Sequence, residues 1–183
     1  MTTAARSRAI GSAVIWGGAA LLLLAPAVAM HFTTEVAWTA SDFVVFALML
    51  GAAGGTYEFL SRRSGSWRYR AGAALAVVTG FFLIWVSLAV GIIGSENYDA
   101  NMMYAGVLAV AIGGSIVAHL RRGGMAKAML AAAAAQLLVG IVALTFGLGS
   151  EGVAWPRDVI GATLLITAMW SGAALLFGVN RPD

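Results

Sequence analysis

The stretch AGAALAVVTGFFLIWVSLAVGIIG, residues 71–94, contains no charged side chain and decides the class of fold. Its length falls within the roughly 17–25 residues that a helix needs to cross about 30 Å of hydrocarbon. Backbone N–H and C=O groups find no hydrogen-bond partners in lipid, so an unbroken apolar run of this length must be helical. The stretch therefore predicts a transmembrane helix.

Five further runs resemble residues 71–94 in length and apolar composition. They cover roughly residues 9–32, 43–60, 102–120, 126–148 and 159–179, and they raise the hydrophobic content to 61% while only 10% of residues are charged. Soluble domains typically carry about 25% charged residues. We therefore predict an all-α integral membrane protein with six transmembrane helices, in a single membrane domain over residues 1–183.

The first run also has features of a secretory signal peptide. Arg6 and Arg8 precede it, and Ala27-Val28-Ala29 near its end resembles a cleavage site. The run is longer than the apolar core of a signal peptide, which favours a retained first helix.

Basic and acidic residues alternate from one loop to the next, and this alternation predicts the topology. Of the 11 Lys and Arg residues, only Arg157 lies in the acidic set of loops; the others are Arg6, Arg8, Arg62, Arg63, Arg68, Arg70, Arg121, Arg122, Lys127 and Arg181. The positive-inside rule places this basic set in the cytoplasm. We expect both termini there, in a bacterial inner membrane, and we expect no nucleic-acid binding because the basic residues serve topology.

The loops on the opposite side repeat a motif. They read TEVAWTASD (34–42), SENYDAN (95–101) and SEGVAWPRD (150–158). On the basic side, GGTYEFLSRRSG (54–65) aligns without a gap with GGSIVAHLRRGG (113–124). Fixed internal repeats define a building unit. We predict three helical hairpins, at about 9–65, 71–124 and 126–181, inserted as parallel repeats rather than inverted ones.

The polar residues of these outer loops divide into two groups. Asp42, Asn101 and Asp158 close the three motifs where a helix begins, so we predict that they cap those helices. The second group could bind a cation or a partner, because hard cations prefer clustered carboxylates. The alternative is that its members are solvated loop charges; they are Glu35, Glu96, Asp99 and Glu151.

Two polar residues lie inside the apolar runs. Glu58 is a default functional candidate as an intramembrane acid. It also lies near the basic end, with Arg62 four residues later, and a structural ion pair is the interpretation we favour. Gln136 is the deepest polar side chain, which indicates an interhelical hydrogen bond, with a place in a substrate path as the alternative.

Metal and enzyme chemistry have little support. The chain has no cysteine, which excludes thiolate sites. A soft copper site on the outer side is one hypothesis, and helix-end packing is the other; the residues concerned are Met30, His31, Met102 and Met103. No nucleophile elbow, phosphate loop or HExxH motif is present, so we do not expect an enzyme, and no cofactor is identified.

At GIIGSENYDANMMY (91–104), with the preceding FLIWVSLAV (82–90), the chain resembles a family of small bacterial inner-membrane proteins that carries no assigned activity. The resemblance implies a bacterial origin and a membrane location. The three-hairpin plan is also similar in architecture to the HdeD-type acid-resistance membrane proteins.

Together these features favour a non-enzymatic accessory or stress-associated protein that acts through helix contacts and an acidic outer face. Its partners would be the lipid bilayer and either a second copy of the chain or a larger membrane complex. Two alternatives stay open. One is a small cation or proton channel or transporter, and the other is a scaffold for an apolar pigment or quinone.

Overall fold

A computed structural model describes the backbone of residues 3–178 and the side chains of residues 11–178. This part of the chain is helical and contains no strand, and six of its helices are long and apolar enough to cross a membrane. The predicted all-α, six-helix fold class is therefore confirmed, and the protein is a multi-pass membrane protein. The side chains of Arg6 and Arg8, and all of Arg181, lie outside the described residues.

The helices follow the apolar runs closely. They are α1 (Thr3–Ala29), α2 (Ala40–Ser61), α3 (Trp67–Ala89), α4 (Met103–Val117), α5 (Arg122–Thr145) and α6 (Arg157–Phe177). A short 3₁₀ helix, Asp99–Met102, precedes α4. The chain divides into two compact units, residues 1–59 with α1 and most of α2, and residues 60–183 with α3 to α6.

In the first unit, one small residue and one acid join α1 to α2. A Cβ added to Gly54 of α2 would lie 3.3 Å from Ile15 and 3.6 Å from the Trp16 ring, both on α1, so the helices approach closely there. One turn further along α2, the Glu58 carboxylate accepts hydrogen bonds from the Ser12 hydroxyl and, at 3.2 Å, from the Trp16 indole N–H. Glu58 thus connects two helices within the apolar part of the unit.

In the second unit, the packing of the helices differs from the predicted hairpins. α5 packs extensively against both α4 and α6, and α3 packs against α6, whereas α3 and α4 share little contact. The arrangement as three repeat hairpins is not confirmed. Of the two hairpins predicted for this unit, α5 and α6 pack together as a pair, whereas α3 and α4 do not.

Small residues at the interfaces explain this choice of neighbours. A Cβ on Gly114 of α4 would lie 2.9 Å from the Ala128 Cβ of α5. A Cβ on Gly72 of α3 would lie 3.2 Å from the Phe177 ring of α6. Because lipid is as apolar as leucine, helices in a membrane associate through such close van der Waals contact rather than through the hydrophobic effect.

The loops that follow α3 and α5 touch each other through a pair of glycines. Gly94 and Gly149 occupy the same place in the repeated motif, and both have left-handed backbones, with φ of +71° and +75°. A Cβ on Gly149 would lie 3.0 Å from the Cα of Gly94. The repeat found in the sequence thus marks a backbone-to-backbone contact between two loops.

We expect Gly149→Ala to destabilise the protein by about 2 kcal/mol or more, because the new methyl group meets backbone atoms and the residue keeps a left-handed conformation. Thermal unfolding of the purified protein in detergent should show a lower Tm. Gly161→Ala is the matched control, since a Cβ there has no atom within 4 Å and alanine favours the helix. Equal Tm values for the two variants would contradict the loop contact.

Candidate functional site

Asn101 is the hydrogen-bonding centre of the loop between α3 and α4. Its Oδ1 accepts from the backbone N–H groups of Ile92 and Ile93, both at 3.0 Å. Its Nδ2 donates to the carbonyls of Ile93, Ser95 and Tyr98, at 3.1, 2.7 and 3.2 Å. The side chain is 9% exposed, and Ile92 and Ile93 are buried.

This role differs from the cap that we predicted for Asn101. The residue lies in the 3₁₀ helix, and α4 begins after Met102 without a side-chain cap. An asparagine side chain has both an acceptor and two donors, and here it satisfies five contacts of the preceding loop instead of the following helix. Asn101 therefore fixes the shape of the loop.

The other two predicted caps lie inside the first turns of their helices. The Asp42 Oδ2 accepts from the backbone N–H of Thr39 at 2.7 Å and from the Thr39 hydroxyl at 2.8 Å. The Asp158 Oδ1 accepts from the backbone N–H of Val159 at 2.8 Å. Both carboxylates lie at the positive end of a helix dipole, where negative charge is stabilising.

Three of the four acids predicted to bind a cation or a partner lie in the two touching loops of the second unit. Glu96 and Glu151 each follow the contacting glycine by two residues, and Asp99 lies between Glu96 and Asn101 in the same loop. All three side chains are exposed. We refer to Glu96, Asp99 and Glu151 as the acidic loop surface. Glu35, also exposed, belongs to the first unit.

Metal binding gains no support from the described residues. Nowhere in residues 11–178 do three His, Asp or Glu side chains cluster as ligands would. The four residues of the copper hypothesis are divided between the units, with Met30 and His31 in the first and Met102 and Met103 in the second. Met102 is 74% exposed at the start of α4. Neither unit by itself assembles the four.

A second group of polar side chains lies buried inside the second unit. The Gln136 side chain on α5 is fully buried, and within the described part of the chain neither its amide oxygen nor its amide nitrogen has a hydrogen-bond partner. Three hydroxyl oxygens are likewise buried without a hydrogen-bond partner in the described chain; they belong to Tyr104 on α4 and to Thr163 and Thr167 on α6. We refer to these four residues as the polar core cluster.

Two contacts and the spacing along α5 and α6 place these residues near one another. The Tyr104 hydroxyl lies beside the Thr163 hydroxyl, although the two do not reach hydrogen-bond geometry. Gly140 faces the Thr163 side chain across the interface of α5 and α6, because a Cβ there would overlap the Thr163 hydroxyl. Gln136 lies one turn before Gly140, and Thr167 one turn after Thr163, so each continues the same helix face.

Of the polar core cluster, the sequence pointed to Gln136 and not to the other three residues. A usable signal existed on α6, where Thr163, Thr167 and Trp170 follow the i, i+4, i+7 spacing of one helix face. Threonine is, however, ordinary in membrane helices, where its hydroxyl bonds the carbonyl one turn earlier. Thr79 does so, donating to Leu75 at 2.6 Å, and sequence alone does not distinguish Thr79 from Thr163.

Comparison with known proteins returns no relative: no protein-family model, curated protein or solved structure matches the chain.

We expect Asn101→Asp to destabilise the protein by about 3 kcal/mol or more. The carboxylate cannot donate, so the Ile93 carbonyl loses its side-chain donor, the Ser95 and Tyr98 carbonyls keep only their backbone donors, and a negative charge is placed among the three. The measurement is thermal unfolding in detergent at pH 7. Asn97→Asp is the control, because Asn97 is exposed and its amide donates only to the neighbouring Glu96 side chain at 3.1 Å. A Tm for Asn101→Asp within a degree of the control would contradict the structural role of Asn101.

Proposed function

We propose that the protein is a non-enzymatic accessory protein of a bacterial inner membrane, which binds a partner membrane protein through its acidic loop surface. The observation that supports this is the construction of the loops. Gly94 and Gly149 lock the two loops together, and Asn101 holds one of them with five hydrogen bonds. A simple connection between helices does not need such a fixed shape.

A fixed shape has a clear benefit for binding. Ordering flexible loops on association costs free energy, so loops that are already ordered bind more tightly for the same contacts. Glu96, Asp99 and Glu151 give this surface a negative charge that is complementary to a basic patch on a partner. Electrostatic complementarity of this kind mainly sets specificity and the rate of association.

The orientation that this function requires follows from the charge of the loops. The basic residues 62–70 and 121–127 lie at the opposite helix ends from the acidic loop surface. By the positive-inside rule, the acidic loop surface then faces away from the cytoplasm. The partner would contact the protein at the outer face of the membrane and along its helices.

The buried polar groups support a role without ion conduction through the second unit. Among the described residues, Thr79, Asn101, Gln136 and Thr163 are polar and buried as whole residues, and none carries a charge; the charged group with buried atoms in this unit is the Arg122 guanidinium, at the start of α5. Proton relays in membranes generally use Asp, Glu or His side chains. The channel alternative would need to use another part of the molecule.

The absence of native cysteine permits a direct test of both the surface and its orientation. We expect a membrane-impermeant maleimide photo-cross-linker, added outside spheroplasts, to label Asn97→Cys and to give a discrete adduct with a partner protein. When Glu96→Gln, Asp99→Asn and Glu151→Gln are combined with Asn97→Cys, most of the adduct should disappear, while maleimide labelling of the cysteine should stay the same. The adduct should also weaken as salt is raised, because exposed charges are screened.

Two controls separate the parts of this proposal. Ser64→Cys, in the basic loop between α2 and α3, should label only after the membrane is permeabilised. Failure to label Asn97→Cys from outside would contradict the orientation. Labelling without any adduct, or an adduct that persists unchanged in the triple variant, would contradict partner binding through the acidic loop surface.

A further inference from the structure

We propose that the polar core cluster binds an uncharged, lipid-soluble carbonyl compound within the second unit, with the chemistry of a quinone headgroup. This inference is independent of the acidic loop surface, because the cluster is buried between α4, α5 and α6. It starts from the unused hydrogen-bonding capacity of Tyr104, Gln136 and Thr163. A buried polar group left without a partner costs about 1–3 kcal/mol, which a ligand with matching groups would recover.

The hydroxyls of the second unit differ in whether their own helix satisfies them; outside the cluster, the Ser87 hydroxyl on α3 is also buried without a partner in the described chain. Thr79 on α3 and Ser115 on α4 donate to the carbonyls of Leu75 and Ala111, at 2.6 and 2.7 Å, and so are satisfied within their own helices. Thr163 and Thr167 have the same option, yet their hydroxyls make no such bond. Their free hydroxyls lie on the α6 face that packs against α5 at Gly140.

The chemistry of the cluster favours a ligand that accepts hydrogen bonds. The Tyr104, Thr163 and Thr167 hydroxyls can each donate one, and the Gln136 amide nitrogen can donate two. Gln136 adds one carbonyl acceptor, and the hydroxyl oxygens can also accept. Donors without a partner in the protein can bind carbonyl oxygens of a ligand. A para-quinone has two carbonyl oxygens on one flat ring.

The surroundings favour an uncharged molecule that arrives from the bilayer. The cluster and the buried residues Val107 and Ile166 carry no charge, and the charge that acts on Tyr104 is the Asp158 carboxylate at the start of α6, which disfavours an anionic ligand. The indole N–H of Trp170, one turn from Ile166, is also buried and without a partner in the described chain, and it adds one more donor. Among adjacent helices of this unit, α3 and α4 pack least, which favours entry between them.

Trp170 makes the proposal measurable, because quinones quench indole fluorescence at short range. The probe is decylubiquinone, titrated into the wild-type protein in phosphatidylcholine nanodiscs. We expect a saturable quenching component in addition to the linear one caused by partitioning into lipid. Trp170→Phe should reduce the saturable component, and decylbenzene, which has the tail and ring without carbonyls, should not compete for the site.

Gln136→Leu separates ligand binding from folding. Leucine has a similar size and no polar atoms, so it removes the buried unpartnered amide, and the Tm should stay equal or rise. We expect the affinity for decylubiquinone to fall roughly three- to tenfold, the effect of one neutral hydrogen bond. Thr163→Val should act in the same direction. Thr79→Val is the matched control and should leave affinity unchanged, because the Thr79 hydroxyl is used within α3.

Two results would overturn the proposal. One is quenching that stays linear in the wild-type protein up to the solubility of the probe. The other is saturable quenching that is equally strong in Gln136→Leu, Thr163→Val and the wild type, which would place the quinone elsewhere on the protein.

Discussion

Hydrocarbon offers no hydrogen bonds, and this constraint acts on every polar group between the two faces of the membrane. The backbone satisfies its own N–H and C=O groups by forming helices, and six of those in the described residues are long enough to cross the bilayer. Glu58 meets the constraint through hydrogen bonds from Ser12 and Trp16 on the neighbouring helix. Thr79 and Ser115 meet it through carbonyls of their own helices. The polar core cluster brings together several hydrogen-bonding groups that the described chain leaves without partners.

The hydrocarbon of the bilayer also determines how the helices associate. Between lipid-facing surfaces the hydrophobic effect provides no drive, so contact depends on how closely backbones approach. Gly72, Gly114 and Gly140 each lie where a β-carbon would meet the neighbouring helix within the second unit. These three positions join α3 to α6, α4 to α5 and α5 to α6. In the loops after α3 and α5, Gly94 and Gly149 likewise allow two backbones to come into close contact.

The sequence predicted the helices well and their neighbours poorly, for a physical reason. Length and apolarity decide whether a segment crosses the bilayer, and both can be counted in residues 71–94 alone. Which helices touch depends on the shape of faces that lie far apart in the chain. The repeated GIIGSE and FGLGSE stretches indicated that two loops are alike, but not that Gly94 and Gly149 are in contact.

The site residues illustrate the same limit. An asparagine before a helix is typical of a cap, yet the Asn101 side chain turns back to the preceding loop, where it hydrogen-bonds five backbone groups. Gln136 was identified because glutamine is rare at that depth. Tyr104 and Thr163 could not be, because their significance depends on hydrogen bonds that they do not make.

The central claim is that α3 packs against α6 although α4 is its neighbour in sequence, and disulfide trapping tests this claim most directly. A Cβ on Gly172 of α6 would lie 3.1 Å from a methyl carbon of Leu75 on α3. In the cysteine-free chain, the pair Leu75→Cys and Gly172→Cys should form a disulfide in oxidised membranes. After denaturation in SDS, maleimide-polyethylene glycol should then add to neither thiol unless the sample is first reduced. Full addition to both thiols without reduction would contradict the packing of α3 against α6 in the second unit.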